Sequence, residues 1–220
     1  MLLETIDLTK SYERRGERFY AAYNVALSVE SDDFVCITGQ SGSGKSTLLN
    51  LLAGLLHADS GSILLDGEDL CKLNDAGLAA LRGSKIGYIP QGNSLLQNFS
   101  VLDNVCLPWY LTRKSNVRAQ ARELLARVGI AHLERENPAS LSGGEARRVA
   151  IARSLIANPS VLIADEPTGD LDPKTTDDII RMFSEVHAQG VAVVVVTHER
   201  EIPSFTTKHY VMENGHLALQ

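Results

Sequence analysis

Residues 39–47, "GQSGSGKST", place a lysine and two hydroxyl side chains directly after a glycine-rich turn. The run satisfies G-x-x-x-x-G-K-[ST] at Gly39, Gly44, Lys45 and Ser46. Each residue type has a job at its place. The glycines let the backbone N–H groups along Gln40, Ser41, Gly42 and Ser43 turn inward around phosphate oxygens. Lys45 brings a point charge to the β- and γ-phosphates, and the Ser46 hydroxyl suits Mg²⁺, with Thr47 next in line on the following helical run. The chemistry implied is the binding of a nucleoside triphosphate.

A second chemical stretch is "VLIADEPTGDLD", residues 161–172. An apolar strand ending in Asp165 brings a carboxylate to the edge of a sheet where a phosphate-bound metal sits. Glu166 is one residue beyond that ligand and so reaches a water, as a general base, rather than the ion. The competing reading is an acidic turn that caps a helix before Pro167. His198 follows the apolar run "VAVVVVT"; a lone histidine is usually an ordinary surface or core residue, but its place at the predicted ligand edge makes it a candidate sensor for the γ-phosphate. Gln91 follows "KIGYIP" at the same predicted edge, where an amide ligates Mg²⁺ or orients a water. The other five histidines (57, 132, 187, 209 and 216) carry no such placement. A third stretch, "LSGGEARRVAIARSL" at 141–155, opens a helix on Ser142, Gly143 and Gly144. Free N–H groups and the positive end of the dipole make it a second anion cradle in a chain that already has one.

These residues need a scaffold, and the chain supplies an alternating one. Short apolar runs bounded by turns, "FVCIT" (34–38), "KIGYI" (85–89), "VLIAD" (161–165) and "VAVVVVT" (191–197), predict strands of an α/β sheet with both faces buried. The first 30 residues and "SILLDG" (62–67) alternate more and predict antiparallel β pieces. "HYVMENGHLAL" predicts a hairpin about Asn214-Gly215. From about 95 to 157 strands stop, and "NVRAQARELLARVGI" and "GEARRVAIARSLIA" have helical period. The expected organisation is one domain over 1–220, with a core and β subdomain at 1–94 and 158–220 and a helical subdomain inserted at 95–157.

The ordered set of motifs (P-loop, Gln91, "LSGGE", "DEPTGDLD", His198) resembles the ATP-binding-cassette ATPases across essentially the whole chain. The resemblance implies a P-loop NTPase fold with a RecA-like core sheet, an N-terminal antiparallel β subdomain and a helical subdomain carrying the "LSGG" signature. It implies ATP and Mg²⁺, with Lys45 on the phosphates, Ser46, Gln91 and Asp165 on the metal, Glu166 on the attacking water and His198 on the γ-phosphate. It also gives the second cradle a purpose. In that family two cassettes pair head to tail, so Ser142, Gly143, Gly144 and Glu145 would cover ATP bound to a second copy, and Asp172 would couple the two sites. Tyr12 lies where the family often stacks an aromatic ring on adenine. Phe19 and Tyr20 are alternatives, as is a plain core role for the ring.

Three features depart from the usual pattern. Glu145 stands where Gln is commonest and would bring negative charge toward the nucleotide. "ESDDF" (30–34) replaces a Pro-Gly-Glu turn. "QGNSLLQNFSVLDNV" (91–105) is unusual in a segment that, in such ATPases, meets the permease. Leu95, Leu96, Phe99 and Val101 there either line a docking groove or pack the subdomain. "YERRGERFYAAYNVALSV" and "ADEPTGDLD" are similar to the lipoprotein-release and macrolide-export group. That similarity implies a subunit that powers a separate permease extruding lipoprotein, peptide, antibiotic or haem-type substrates, docked near Asn93–Trp109. A cell-division relative that signals and transports nothing is the alternative.

The bulk numbers are consistent with this. A net charge of −6 argues against a sequence-independent nucleic-acid binder. Three widely spaced cysteines imply reduced thiols. No signal-peptide pattern opens the chain and no apolar run reaches the ~20 residues a membrane span needs. The expected place is the cytoplasmic face of the inner membrane, held there by a partner.

Overall fold

The computed structural model describes residues 1–14, 16–112, 116–198 and 204–220. Arg15 and residues 113–115 of the expected helical segment lie outside the described residues.

Two sheets form. The N-terminal strands β1 (Leu3–Arg14) and β2 (Glu17–Val29) pair antiparallel. With β4 (Ser60–Leu65) and β5 (Glu68–Asp69) they make a four-stranded sheet in the order β2-β1-β4-β5. The larger sheet has β3 (Phe34–Thr38), β6 (Ile86–Ile89), β7 (Val161–Asp165), β8 (Ala192–Thr197), β9 (Lys208–Glu213) and β10 (His216–Leu219). Its order is β10-β9-β3-β8-β7-β6, parallel throughout except for β10. Every residue of β7 and of β8 is buried, which is why these runs read as continuous apolar sequence rather than alternating. The β9–β10 hairpin turns on Asn214 and Gly215, both at positive φ (47° and 83°), the backbone such a tight turn requires.

Six α-helices are described: α1 (Lys45–Leu52), α2 (Asp75–Lys85), α3 (Val101–Thr112), α4 (Arg118–Arg127), α5 (Gly143–Leu155) and α6 (Pro173–Ala188). Helix α2 ends at Lys85, so the strand expected from 85 begins one residue later; the Lys85 ammonium instead pairs with Asp66 at 2.6 Å. Helices α3 to α5 lie in the connection between β6 and β7, which are neighbours in the sheet.

The period of two along the strands divides the core. Val35, Ile37, Val161, Ile163, Val194 and Val196 pack with α1, α2 and the small sheet. Phe34, Leu162, Ala164, Val193 and Val195 face the other way and share a core with α3, α4, α5 and α6. The inserted helices therefore close one face of the main sheet.

Candidate functional site

The site begins with a loop that only glycine allows. A Cβ on Gly39 would strike the carbonyl of Met212 in β9, and one on Gly44, at φ 110°, would strike the carbonyl of Ala21 in β2. The loop thus lies against the backbone of both neighbours, and the Gly215 N–H ties it down on the Ser43 carbonyl at 3.0 Å. Gly42 also has positive φ (80°) but faces open space. Lys45, 5% exposed, folds back to donate to the carbonyls of Gly39 and Gln40, both at 2.9 Å. It closes its own loop and stays at the mouth of the cradle.

Strand parity places the two carboxylates. Asp165 continues the Val161–Ile163 side of β7, the side α1 covers, so the Ser46 hydroxyl at the start of α1 reaches it. Burial pushes the Asp165 carboxyl above its ordinary range, and the bond from Ser46 works against that rise. One oxygen, Oδ1, is buried with no hydrogen-bond partner. An orphaned carboxylate oxygen beside a serine hydroxyl and a phosphate loop fits a hard divalent cation such as Mg²⁺, which takes few protein ligands plus phosphate oxygens. Among the described residues no cluster of three or more His, Cys, Asp or Glu side chains offers an all-protein metal site.

Glu166 points elsewhere. Its φ of 45° is a strained conformation for a non-glycine residue, held by its N–H on the Val196 carbonyl at 2.9 Å. Its Oε2 accepts from the Gln91 amide at 2.6 Å, and its Oε1 lies 3.1 Å from His198 Nδ1. Three residues predicted separately at strand ends therefore meet at one carboxylate. Gln91 joins Glu166 in this arrangement rather than Asp165.

Two cavities meet there. One of 650 Å³ is lined by the P-loop residues Ser41, Gly42 and Gly44 to Thr47 with Tyr12, Phe19 and Ala21. The other, 760 Å³, is lined by Ser142, Gly143, Arg147, Asp170 and the loop after Gln91. Gln91, Glu166 and His198 line both. Of the signature residues, Ser142 and Gly143 line the second and not the first.

Ser142 caps α5 in a capping box. Its hydroxyl accepts from the Glu145 N–H at 3.3 Å, while Glu145 Oε2 accepts from the Ser142 N–H (2.7 Å) and hydroxyl (2.8 Å). Those bonds hold the Glu145 carboxyl below its usual range. Glu145 is thus first a helix cap. Gly144 approaches the Thr175 side chain of α6. Asp172 caps α6 through the Thr175 N–H (3.1 Å) and hydroxyl (2.5 Å), which lower its carboxyl.

Tyr12 is not a core ring: it is 38% exposed and stacks on Phe19 across the hairpin, with centroids 5.7 Å apart and planes at 29°. Tyr20, next along β2, projects to the other face and packs on Tyr23. In the 91–105 segment, Leu95 and Val101 are buried packing, while Leu96 and Phe99 are exposed at 42% and 44%. Sequence reasoning passed over Arg147 and Arg153, whose helical run gave no sign of where their guanidinium groups would land. It also missed Ala21 and Met212, which act through backbone carbonyls and leave no side-chain signal.

Residues 22–169 match the ABC transporter family. The chain belongs to that family. It is the ATP-binding subunit of an ABC transporter, and an ATPase. The cassette is 42% identical, over 97% of its own length and 96% of the relative's, to the lipoprotein-releasing system ATP-binding protein LolD of Geobacter metallireducens. Its fold matches the ATP-binding cassette MJ0796 solved as a post-hydrolysis dimer with ADP and Pi, with a TM-score of 0.93 and 33% identity, covering 100% of this chain and 98% of that one. A second dimeric structure of MJ0796, described as a bacterial ABC transporter cassette, matches with a TM-score of 0.92 and 34% identity, covering 98% and 96%. The expected fold class, with a parallel core sheet and an antiparallel sheet, agrees with these neighbours.

Proposed function

We propose that two copies of the cassette pair head to tail around two Mg²⁺-ATP and drive a separate membrane permease of the lipoprotein-release class. The observation that carries this is the separation of the two anion cradles. Ser142 and Gly143 line a different cavity from Lys45 and Ser46, so within one chain a triphosphate on the P-loop does not meet the signature loop. A second copy turned by a two-fold axis supplies the missing half to each site. The relatives support the reading: MJ0796 is described as dimeric, and LolD as part of a lipoprotein-releasing system.

In this reading the loop from Gly39 to Gly44, with Gln40, Ser41, Gly42 and Ser43 between, wraps the phosphates, and Lys45 leaves its two carbonyls to meet them. Thr47 and Tyr12 flank the nucleotide, Tyr12 with its ring on the adenine. Ser46, Asp165 and Gln91 would hold Mg²⁺, which would supply positive charge to offset the negative charge of the phosphates. Gln91 must leave Glu166 to do so, which frees the Glu166 carboxylate to take a proton from water. His198 orients that carboxylate and contacts the γ-phosphate. Ser142, Gly143, Gly144 and Glu145 close over the partner copy's ATP, and Asp172 links the two sites.

The segment 95–157 acts as the subdomain that couples to the permease, with 1–94 and 158–220 as the nucleotide core. Docking is placed beside Asn93–Trp109. A groove of 790 Å³ there runs between α2 and the end of α3, with Leu55 (50% exposed), Pro108 and Leu111 (78% exposed) on its walls. No helix among the described residues is long and apolar enough to cross a membrane, so attachment at the cytoplasmic face of the inner membrane rests on that partner. A net charge of −6 leaves nucleic acid out of the partner set.

The test is Glu166→Gln, which keeps ATP binding but removes the base, with molar mass read by light scattering. A monomer that becomes a dimer only with ATP, and no longer does so with Ser142→Arg, is the expected result. Tight ATP binding without any dimer, alone or with a co-purified permease, overturns the shared-site reading.

A further inference from the structure

Helix α5 carries three consecutive points of attachment for arginine heads. Arg148 pairs with a carboxylate, Asp178, at 2.8 Å. Arg147 and Arg153, among the described residues, hydrogen-bond only to oxygens of one loop. Arg147 Nη1 donates to the Pro90 carbonyl at 3.2 Å. Arg153 Nη1 donates to the Ser94 carbonyl at 2.9 Å and its Nη2 to the Ser94 hydroxyl at 2.6 Å. The two arginines sit about 9 Å apart along the helix axis. They grip both ends of the short loop whose second residue is Gln91.

Burying guanidinium groups against carbonyls is unfavourable unless the bonds compensate for lost water. Arg147 is 8% exposed, and burial lowers the pKa of both groups. For Arg147 the nearby Asp165 and Asp170 offset part of that effect. Each arginine also faces a different functional surface. Arg147 lines the cavity with Glu166 and Ser142, and Arg153 lines the groove with Pro108 and Leu111.

We propose that Arg147 and Arg153 are positioning residues that lock the Gln91 loop to α5, so that movement of the signature helix and the engagement or release of Gln91 at Glu166 are one motion. The inference rests on the proposed passage of Gln91 from Glu166 to the metal site. Because α5 begins at the signature turn and Arg153 reaches the groove, a shift at either end is delivered to Gln91 through guanidinium–oxygen bonds.

The test uses Arg153→Met, which keeps length and apolar stem, in the full chain. Steady-state ATPase rates should show kcat reduced by about ten- to a hundredfold, the range for residues that orient a metal-site ligand, with KM for ATP within about twofold because the P-loop is untouched. In a Gln91→Ala background the same substitution should change kcat by less than about twofold, since the effect passes through Gln91. Hydrogen exchange on the nucleotide-free protein gives a readout independent of activity. Amides of 91–97 should exchange about tenfold faster or more, with those of 45–52 unchanged. Ser94→Ala, which removes only the hydroxyl acceptor, should show the same pattern more weakly and serves if Arg153→Met does not fold. Full additivity with Gln91→Ala, a change in KM alone, or unaltered exchange at 91–97 would overturn the proposal. If Gln91→Ala itself leaves kcat unchanged, the site reading fails, and the exchange experiment alone then decides the clamp.

Discussion

Replacing Tyr12 by alanine tests the nucleotide site at the point where geometry gives the clearest number. The ring lines the P-loop cavity, is 38% exposed, and has one side already covered by Phe19. Stacking of a base on an aromatic ring contributes ~1–3 kcal/mol by alanine substitution. Phe19 stacks on the ring and the Lys10 ammonium lies 5.8 Å from its centroid, so the ring is only partly open to adenine, which favours the lower half of that range. An affinity loss of about five- to thirtyfold follows for ~1–2 kcal/mol at 1.4 kcal/mol per tenfold. Phe19→Ala removes the supporting ring, and an aromatic pair is worth ~0.5–1.5 kcal/mol, or about two- to twelvefold in ATP affinity. Calorimetric titration of ATP against tripolyphosphate separates the causes. Tripolyphosphate has no base, so its affinity should be the same in both variants and the wild type. Tyr12→Trp should restore ATP binding, because the face of the ring matters and the hydroxyl does not. Equal weakening of ATP and tripolyphosphate would refute the reasoning, since it would mean the substitution had disturbed the loop. So would an unchanged ATP affinity in Tyr12→Ala.

Gly44→Ala should destabilise by ~1–3 kcal/mol through its positive φ and the clash with the Ala21 carbonyl, and should reduce ATP affinity more than Gly42→Ala, whose added methyl meets open space; thermal melts and titrations on both variants check the order. Phe183→Ala, at a ring 1% exposed between α6 and the main sheet, should lower stability by ~3–5 kcal/mol in urea unfolding. Bonds from the Lys10 ammonium, then Ser11, hold the Asp59 carboxyl down to about 2. Its folded value is depressed, so the stabilisation is present above the unfolded value of ~3.9 and fades as pH falls toward 2. With a third of the side chain exposed, solvent screening limits it to about 0.5–1 kcal/mol. Asp59→Asn should therefore be less stable than wild type at pH 7, and the gap should close near pH 2; a gap of equal size at both pH values contradicts the assignment.

The candidate site residues were legible because phosphate and metal chemistry demands particular residue types at particular spacings. A glycine turn before a lysine, an acid at the end of an apolar strand and a Ser-Gly-Gly turn before a helix keep their meaning wherever the chain folds. The buried strands were legible for a related reason: β7 and β8 are covered on both faces, so their sequences are apolar without interruption. Boundaries slipped by a residue at Lys85 and Val191, where a helix end or a loop competes with the first position of a strand. Sequence left the Tyr12 ring between the core and an open site, and only the cross-strand pairing with Phe19 at the cavity mouth places it outside the core. It left Leu95, Leu96, Phe99 and Val101 as one undivided set, which packing split into two buried and two exposed. Pattern and spacing determined what phosphate chemistry this chain carries and which strands deliver it. The meeting of Gln91, Glu166 and His198, the capping role of Glu145 and the hold of Arg147 and Arg153 on the Gln91 loop were decided only by tertiary structure, because each joins residues distant in the chain or depends on a side-chain rotamer that no local pattern encodes.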